Sequence, residues 1–212
     1  MVYNSESQVL VSSNQLSAVA AKLPARCPAV KRWFMVDGAV EGYEDYSESI
    51  SVHPAKNLDE EPAGTFMLYS SGTTGRPKGI LKPLPSSLIS DDSGALGSLQ
   101  KSLWGFDQNT VYLSPAPLYH SAPVGFCTGV QALGGTVVML PKFNELQALQ
   151  AIQDHQVTHS QWVPTMFSRM LKIDEADRKV FDLSSLTVAV HTEAPCPREV
   201  KQKMTDGRGR VP

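Results

Sequence analysis

The sequence predicts an α/β fold in which a layered, largely parallel sheet is flanked by helices. Short apolar runs alternate with runs of helical spacing along most of the 212 residues, a pattern typical of repeated strand–helix units. Residues 136–140 are apolar or β-branched throughout, as in a strand covered on both faces. Three predicted strands end in unusual polar sequences, at the ends where open parallel sheets bind ligands.

Each predicted strand is a short apolar run bounded by turn residues. The first strand precedes a helix for which Asn14 offers an N-cap and which Pro24 ends. The second strand stops at Asp37-Gly38. Residues 42–64 are acidic and without periodicity, which indicates a surface connection. The predicted strands are residues 9–12, 33–36, 66–69, 111–114, 136–140, 157–160 and 186–190.

Helices are predicted where apolar residues recur three and four positions apart. Gly94 and Gly97 weaken the pattern in residues 87–105, and Gly134-Gly135 ends a later helix. Asn144 with Gln147 resembles a capping box at the start of the next one. The predicted helices are residues 16–23, 87–105, 126–133, 144–152, 166–171 and 198–204.

Composition and charge narrow the classes of partner. With 42% hydrophobic residues, 19% charged residues and a formal net charge of −2, the chain offers no electrostatic basis for binding nucleic acid. Its three cysteines are far apart and lack CxxC spacing, which argues against a disulfide framework or zinc site. No apolar run approaches the ~20 residues of a membrane-spanning helix, and no secretion signal is visible. We expect a soluble, cytoplasmic protein.

The segment 69–79, Tyr-Ser-Ser-Gly-Thr-Thr-Gly-Arg-Pro-Lys-Gly, has the composition of an anion-binding loop. Its glycines allow consecutive N–H groups to point into one concavity. Its hydroxyls add short donors, and Lys78 adds a mobile positive charge. A solvated hairpin or linker is the alternative, since Gly, Ser and Thr also fill ordinary turns. The order of the residues favours phosphate binding.

The order of these residues resembles the signature of the adenylate-forming superfamily: the acyl-CoA synthetases, peptide-synthetase adenylation domains and luciferases. It differs from the Walker pattern, because Arg76 and Pro77 separate Gly75 from Lys78. The resemblance implies that the segment binds the phosphates of ATP, with a catalytic role for Lys78 and Mg²⁺ at Thr73. The implied phosphate-binding residues are Ser70, Ser71, Gly72, Thr73, Thr74, Gly75 and Lys78.

The segment 117–123, Pro-Leu-Tyr-His-Ser-Ala-Pro, is similar to a segment of the fatty acyl-CoA ligases. That similarity implies that His120 lies near the α-phosphate and at the entrance to the acyl pocket, as a catalytic and substrate-binding residue. There a neutral imidazole donates a hydrogen bond to developing negative charge. The alternative is a structural histidine whose side chain forms hydrogen bonds with the backbone of a proline-rich turn.

Two later segments extend the resemblance. Residues 157–166 resemble a stretch that borders the substrate tunnel, which implies a substrate contact for Trp162; core packing explains this residue equally well. The turn 193–195 is similar to the Gly/Ala-Ala-Pro turn against which adenine stacks, although family members often have small residues where this chain has Thr and Glu. An ordinary strand-to-helix turn is the alternative. The implied adenine-binding residues are Thr192, Glu193, Ala194 and Pro195.

The resemblance implies a two-step reaction: a fatty carboxylate and ATP form an acyl adenylate, and CoA then displaces AMP. The implied cofactors and co-substrates are ATP, Mg²⁺ and CoA, and the partners are small molecules. Transient contact with a membrane surface and the oligomeric state are left open.

Similarity extends from about residue 3 to residue 204, which predicts that 1–206 is part of an AMP-binding domain. The family's magnesium-binding glutamate motif, ribose-binding segment and lysine-bearing C-terminal domain are not found in the 212 residues. Residues 207–212 are atypical and are interpreted as a truncated or frame-shifted tail. We therefore expect a fragment that is inactive by itself. The alternatives are a nucleotide-binding remnant without catalysis, an amino-acid-activating adenylation domain, and a marginally folded product without function.

Overall fold

The computed structural model describes residues 1–70, 77–91, 94–192 and 194–206. The chain divides into two compact units, 1–89 and 90–212. Both contain parallel strands with helices packed beside them, so the predicted α/β class is confirmed. The parallel strands form two sheets, where the sequence pattern had suggested one.

The first unit contains a small parallel sheet of β1 (Val9–Ser13), β2 (Arg32–Val36) and β3 (Glu44–Asp45), in that order. The helices α1 (Ser17–Ala20) and α2 (Tyr46–Ser51) accompany it. Two single 3₁₀ turns, Asn14–Leu16 and Pro24–Arg26, flank α1.

One prediction in this unit is wrong and another is incomplete. Asn14 does not cap the first helix, because it lies within a 3₁₀ turn and its side chain packs directly against Gly38. The acidic stretch 42–64 is largely exposed, as expected of a surface connection, but it also contains β3 and α2. The Asp45 carboxylate caps α2 by accepting a hydrogen bond from the N–H of Glu48 at 2.8 Å, a local signal that the sequence reading missed.

An antiparallel hairpin of β4 (Met67–Ser70) and β5 (Lys78–Leu81) completes the first unit. The strand predicted at 66–69 therefore exists, but it pairs in a hairpin instead of a parallel sheet. A Cβ at Gly79 in β5 would lie 2.6 Å from the Met67 methyl group, so the flexible Met67 side chain would have to move to admit one.

The second unit contains a parallel sheet in the order β7-β6-β8-β9. Its strands are β6 (Val111–Ser114), β7 (Thr136–Met139), β8 (His159–Trp162) and β9 (Val188–His191). Its helices are α3 (Gly94–Trp104), α4 (Ser121–Ala132), α5 (Glu145–His155), α6 (Pro164–Met170), α7 (Glu175–Arg178) and α8 (Arg198–Asp206).

Helices cover both faces of this sheet. Tyr112 of β6 packs into a cluster with Phe126 and Val130 of α4. Its neighbour Leu113 points the other way, into a cluster formed mainly by α5 and α6, as the two-residue period of a strand requires. The layered arrangement is therefore built around β6 and β8 at the centre of the sheet.

Local sequence signals, such as capping residues and glycines, correctly predicted the positions of most of these helices and strands. The Asn144 side chain caps α5 by accepting a hydrogen bond from the N–H of Gln147 at 3.0 Å, and Gly134 ends α4 with φ +83°. The strand predicted at 157–160 begins two residues later, at His159, because the N–H of Val157 is used in closing α5. Among the described helices, none is long and apolar enough to cross a bilayer.

Candidate functional site

The order of strands in the second unit creates a topological switch point at the carboxyl ends of β6 and β8. From β6 the chain crosses through α4 to β7 on one side, and from β7 it crosses through α5 to β8 on the other side. The segments that leave the carboxyl ends of β6 and β8 therefore diverge to opposite faces. In open α/β sheets ligands bind outside such a switch point.

Two of the three polar segments singled out in the sequence follow the carboxyl ends of strands in this sheet. In the parallel pairing Leu113 is opposite Ser160, and Trp162 is opposite His191, so β6, β8 and β9 end beside one another. The segment leading to His120 follows β6, and Thr192 follows β9 directly. The segments that contain His120 and Thr192 thus both begin at the carboxyl ends of strands in one sheet.

His120 occupies the N-cap position of α4. Its backbone N–H donates to the carbonyl of Pro117 at 3.2 Å, and its own carbonyl accepts from Val124 at 3.3 Å. The exposed imidazole lies 4.5 Å from the Tyr119 ring, measured between centroids, and makes no hydrogen bond to cap the helix. The backbone N–H and carbonyl of His120 are thus both hydrogen-bonded within the turn, and its exposed side chain is available to a ligand.

Thr192 is fixed to the end of β8 by two hydrogen bonds. Its N–H donates to the carbonyl of Trp162 at 3.1 Å, and its hydroxyl oxygen accepts from the Gln161 amide nitrogen at 2.5 Å. Ala194 and Pro195 follow as exposed residues. The remaining predicted adenine-binding residue, Glu193, lies outside the described residues.

Trp162 is a core residue of the α5/α6 face. It is 1% exposed, its indole N–H donates to the Ser160 hydroxyl, and its ring packs 5.9 Å from that of Phe167. One edge of the indole also lines a cavity of about 840 Å³ beside α6 and α8. Packing accounts for the burial of Trp162, and a substrate contact stays a prediction.

Lys78 lies in the first unit, on the hairpin. It is exposed and stands opposite Ser70 in the antiparallel pairing, so the two ends of the segment 71–77 are held side by side. The other predicted phosphate-binding residues, Ser71, Gly72, Thr73, Thr74 and Gly75, lie outside the described residues. Their contacts remain predictions.

The described residues offer no metal centre made of protein side chains. No group of three or more His, Cys, Asp or Glu side chains in these parts of the chain is placed to hold a metal ion. The Mg²⁺ contact predicted at Thr73 falls outside them. The described side chains therefore give no support to a protein-held Mg²⁺.

Burial shifts the pKa of several titratable groups in the second unit. The pKa of the Tyr112 phenol and that of the Cys127 thiol are both raised, chiefly by desolvation. Burial lowers the pKa of His159. The Nε2–H of His159 donates to the Trp104 carbonyl at 3.0 Å, and Nδ1 lies 2.8 Å from the Thr158 hydroxyl oxygen. A carbonyl can only accept, which fixes the neutral tautomer with the hydrogen on Nε2.

We expect His159 to make stability depend on pH. Because its pKa is lower when folded, the unfolded chain binds more protons below the ordinary pKa of about 6.5. The stabilisation is complete above that pH and is lost as pH falls through the folded pKa. His159→Gln should flatten the dependence of the melting temperature between about pH 7.5 and 5. His155→Gln, at an exposed histidine, is the control, and an equal flattening there would contradict the assignment.

The match to known proteins decides the family. Residues 1–211 match the family described as AMP-binding enzyme. The chain belongs to this family. The match covers nearly all of both units and includes every sequence segment discussed above.

Curated proteins are similar to this chain over part of their length. The 4-coumarate–CoA ligase-like 2 of Arabidopsis thaliana is 34% identical over 73% of this chain and 26% of its own. The medium/long-chain-fatty-acid–CoA ligase FadD8 of Mycobacterium tuberculosis is 32% identical over 57% of this chain and 19% of its own. The chain spans about a third or less of the length of the curated relatives it matches.

A solved structure supports the fold. The N-terminal domain of FACL13 from Mycobacterium tuberculosis superimposes with a TM-score of 0.78 at 20% identity, over 97% of this chain and 49% of that one. At this identity the likeness concerns the fold alone. The prediction that the chain resembles the large N-terminal domain of adenylate-forming enzymes is confirmed.

Sequence reasoning missed Gln161, the buried residue that contacts Thr192. A signal was available, since Gln161 is a polar residue between Ser160 and Trp162 just before a predicted ligand-binding turn. The predicted strand ended at residue 160, so Gln161 was not assigned to it and its burial was not expected.

Proposed function

We propose that the chain is the nucleotide-binding part of an adenylate-forming CoA ligase. The observation that carries the proposal is the position of His120 and Thr192 at one switch point of a parallel sheet. The membership of the AMP-binding family and the names of the relatives, which are CoA ligases, support it.

In this proposal a carboxylate attacks the α-phosphorus of ATP, pyrophosphate leaves, and the thiol of CoA displaces AMP from the acyl adenylate. Lys78 neutralises the charge of the β- and γ-phosphates. His120 donates a hydrogen bond to the oxygen on which negative charge develops at the α-phosphorus. The protein contributes position and charge in place of covalent chemistry.

We propose a fatty acid as the carboxylic substrate and the cytoplasm as the location. The name of FadD8 supports a medium- or long-chain acid, and the 4-coumarate–CoA ligase-like relative offers an aromatic acid as the alternative. The predicted contacts of Thr73 with Mg²⁺ and of Trp162 with the acid belong to the same proposal.

ATP titration of the purified 212-residue chain by calorimetry tests the binding step. We expect saturable one-to-one binding of ATP and at least about tenfold weaker binding of GTP, since hydrogen bonds at a base edge discriminate at that level. An acyl-hydroxamate assay with ATP and fatty acids tests turnover, which we expect to stay at the level of a Lys78→Ala variant. No binding of ATP would overturn the proposal, and turnover above that variant would overturn the expected inactivity.

A further inference from the structure

Gln161 stands out as a buried polar residue that the family resemblance did not assign. It lies in β8 and is 1% exposed. Its amide nitrogen donates to the Thr192 hydroxyl oxygen at 2.5 Å and to the Trp162 carbonyl at 3.4 Å. Its carbonyl oxygen Oε1 is buried and has no hydrogen-bond partner among the described residues.

These contacts fix the orientation of the Gln161 side-chain amide. The Trp162 carbonyl can only accept a hydrogen bond, so the group facing it must be the nitrogen. The alternative orientation would place two carbonyl oxygens against each other. The amide nitrogen therefore supplies both of its hydrogens, one to Thr192 and one to Trp162.

The orientation of the amide determines that of the Thr192 hydroxyl. Because the hydroxyl oxygen accepts from Gln161, its single hydrogen points elsewhere. Within the described part of the chain no acceptor receives it. Thr192 is also the first residue after β9, at the carboxyl ends of the strands. A donor is thus held ready at the turn predicted to contact adenine.

We infer that Gln161 is a positioning residue for the nucleotide: it holds the Thr192 hydroxyl as a hydrogen-bond donor to an acceptor nitrogen of the purine ring. This inference rests on the proposed ATP binding. Burying an amide with one unpaired oxygen costs stability, and the hydrogen bonds to Thr192 and Trp162 offset part of that cost.

Replacement of Gln161 by methionine tests the inference, because methionine keeps the length of the side chain and removes the donor. We expect Gln161→Met to weaken ATP binding by about five- to tenfold, the loss typical of one hydrogen bond. Binding of inorganic tripolyphosphate, which lacks the base, should not change. Thr192→Val should lose as much ATP affinity as Gln161→Met, and Thr192→Ser should retain it.

Gln100 provides a matched control. It is fully buried, donates one hydrogen bond to the Phe126 carbonyl at 3.5 Å and also has an unpaired Oε1. Gln100→Met should lower the melting temperature comparably and leave ATP affinity unchanged. The double variant Gln161→Met/Thr192→Val should bind ATP as Thr192→Val does, because Gln161 acts only through the Thr192 hydroxyl, which valine already lacks.

The outcomes separate this inference from the proposed function. If the wild-type chain binds ATP and Gln161→Met binds it equally well, the positioning role is wrong and the proposed function stands. If Gln161→Met and Gln100→Met lose the same affinity, the effect comes from general destabilisation and the inference is wrong. If the wild-type chain does not bind ATP, both fail.

Discussion

Trp162→Ala is expected to destabilise the chain by about 3–5 kcal/mol, the range for deleting a large aromatic side chain from a core. The indole is 1% exposed and packs against Phe143 and Phe167, with ring centroids 6.4 and 5.9 Å away. Alanine would leave a cavity and an unpaired Ser160 hydroxyl. Chemical denaturation followed by far-UV circular dichroism measures the loss.

Two further variants separate packing from the substrate contact predicted for Trp162. Trp162→Phe keeps an aromatic ring but loses the bond to Ser160, so it should cost only about 1–2 kcal/mol. Tyr119→Ala removes an aromatic ring that is 80% exposed and should change stability by less than about 0.5 kcal/mol. A Trp162→Ala variant as stable as Tyr119→Ala would contradict the core assignment.

The fold class was predictable because the spacing of hydrophobic residues indicates which residues are buried in each strand and helix. The parallel strands β6 and β7 were placed within a residue of their positions, since each is a short apolar run between clear turn residues. The failures occurred where polar residues are buried. His159, Ser160 and Gln161 form β8 with Trp162, yet their polarity is typical of a turn, so the predicted strand was placed too early.

The candidate site was predictable in its chemistry and less so in its geometry. His120 and Thr192 were expected to follow strands of one parallel sheet, and the pairing of β6, β8 and β9 places the ends of these strands beside one another. The hairpin that carries Lys78 was named only as the alternative to a phosphate-binding loop, and no strand was predicted for Lys-Gly-Ile-Leu, which directly follows Pro77. The choice of a partner strand is not encoded in local periodicity.

Lys78→Ala is expected to weaken ATP binding by about 10- to 100-fold, as loss of a charge-assisted hydrogen bond to phosphate does. The lysine is exposed on β5, directly across from Ser70. A triphosphate held by the segment between these two residues would lie within reach of its ammonium group. Calorimetric titration with ATP measures the loss, which should shrink at high salt because screening weakens the interaction in the wild type.

Lys82 is the control that decides whether position or charge alone matters. It is also exposed and lies just beyond the end of β5, so Lys82→Ala removes the same net charge from the same unit. If Lys78 contacts phosphate directly, Lys82→Ala should change ATP affinity less than about twofold. Lys78→Arg should recover only part of the affinity, because a planar guanidinium does not reproduce the geometry of an ammonium group. Equal losses for Lys78→Ala and Lys82→Ala would show that the positive charge acts at long range, and the phosphate contact assigned to Lys78 would be wrong.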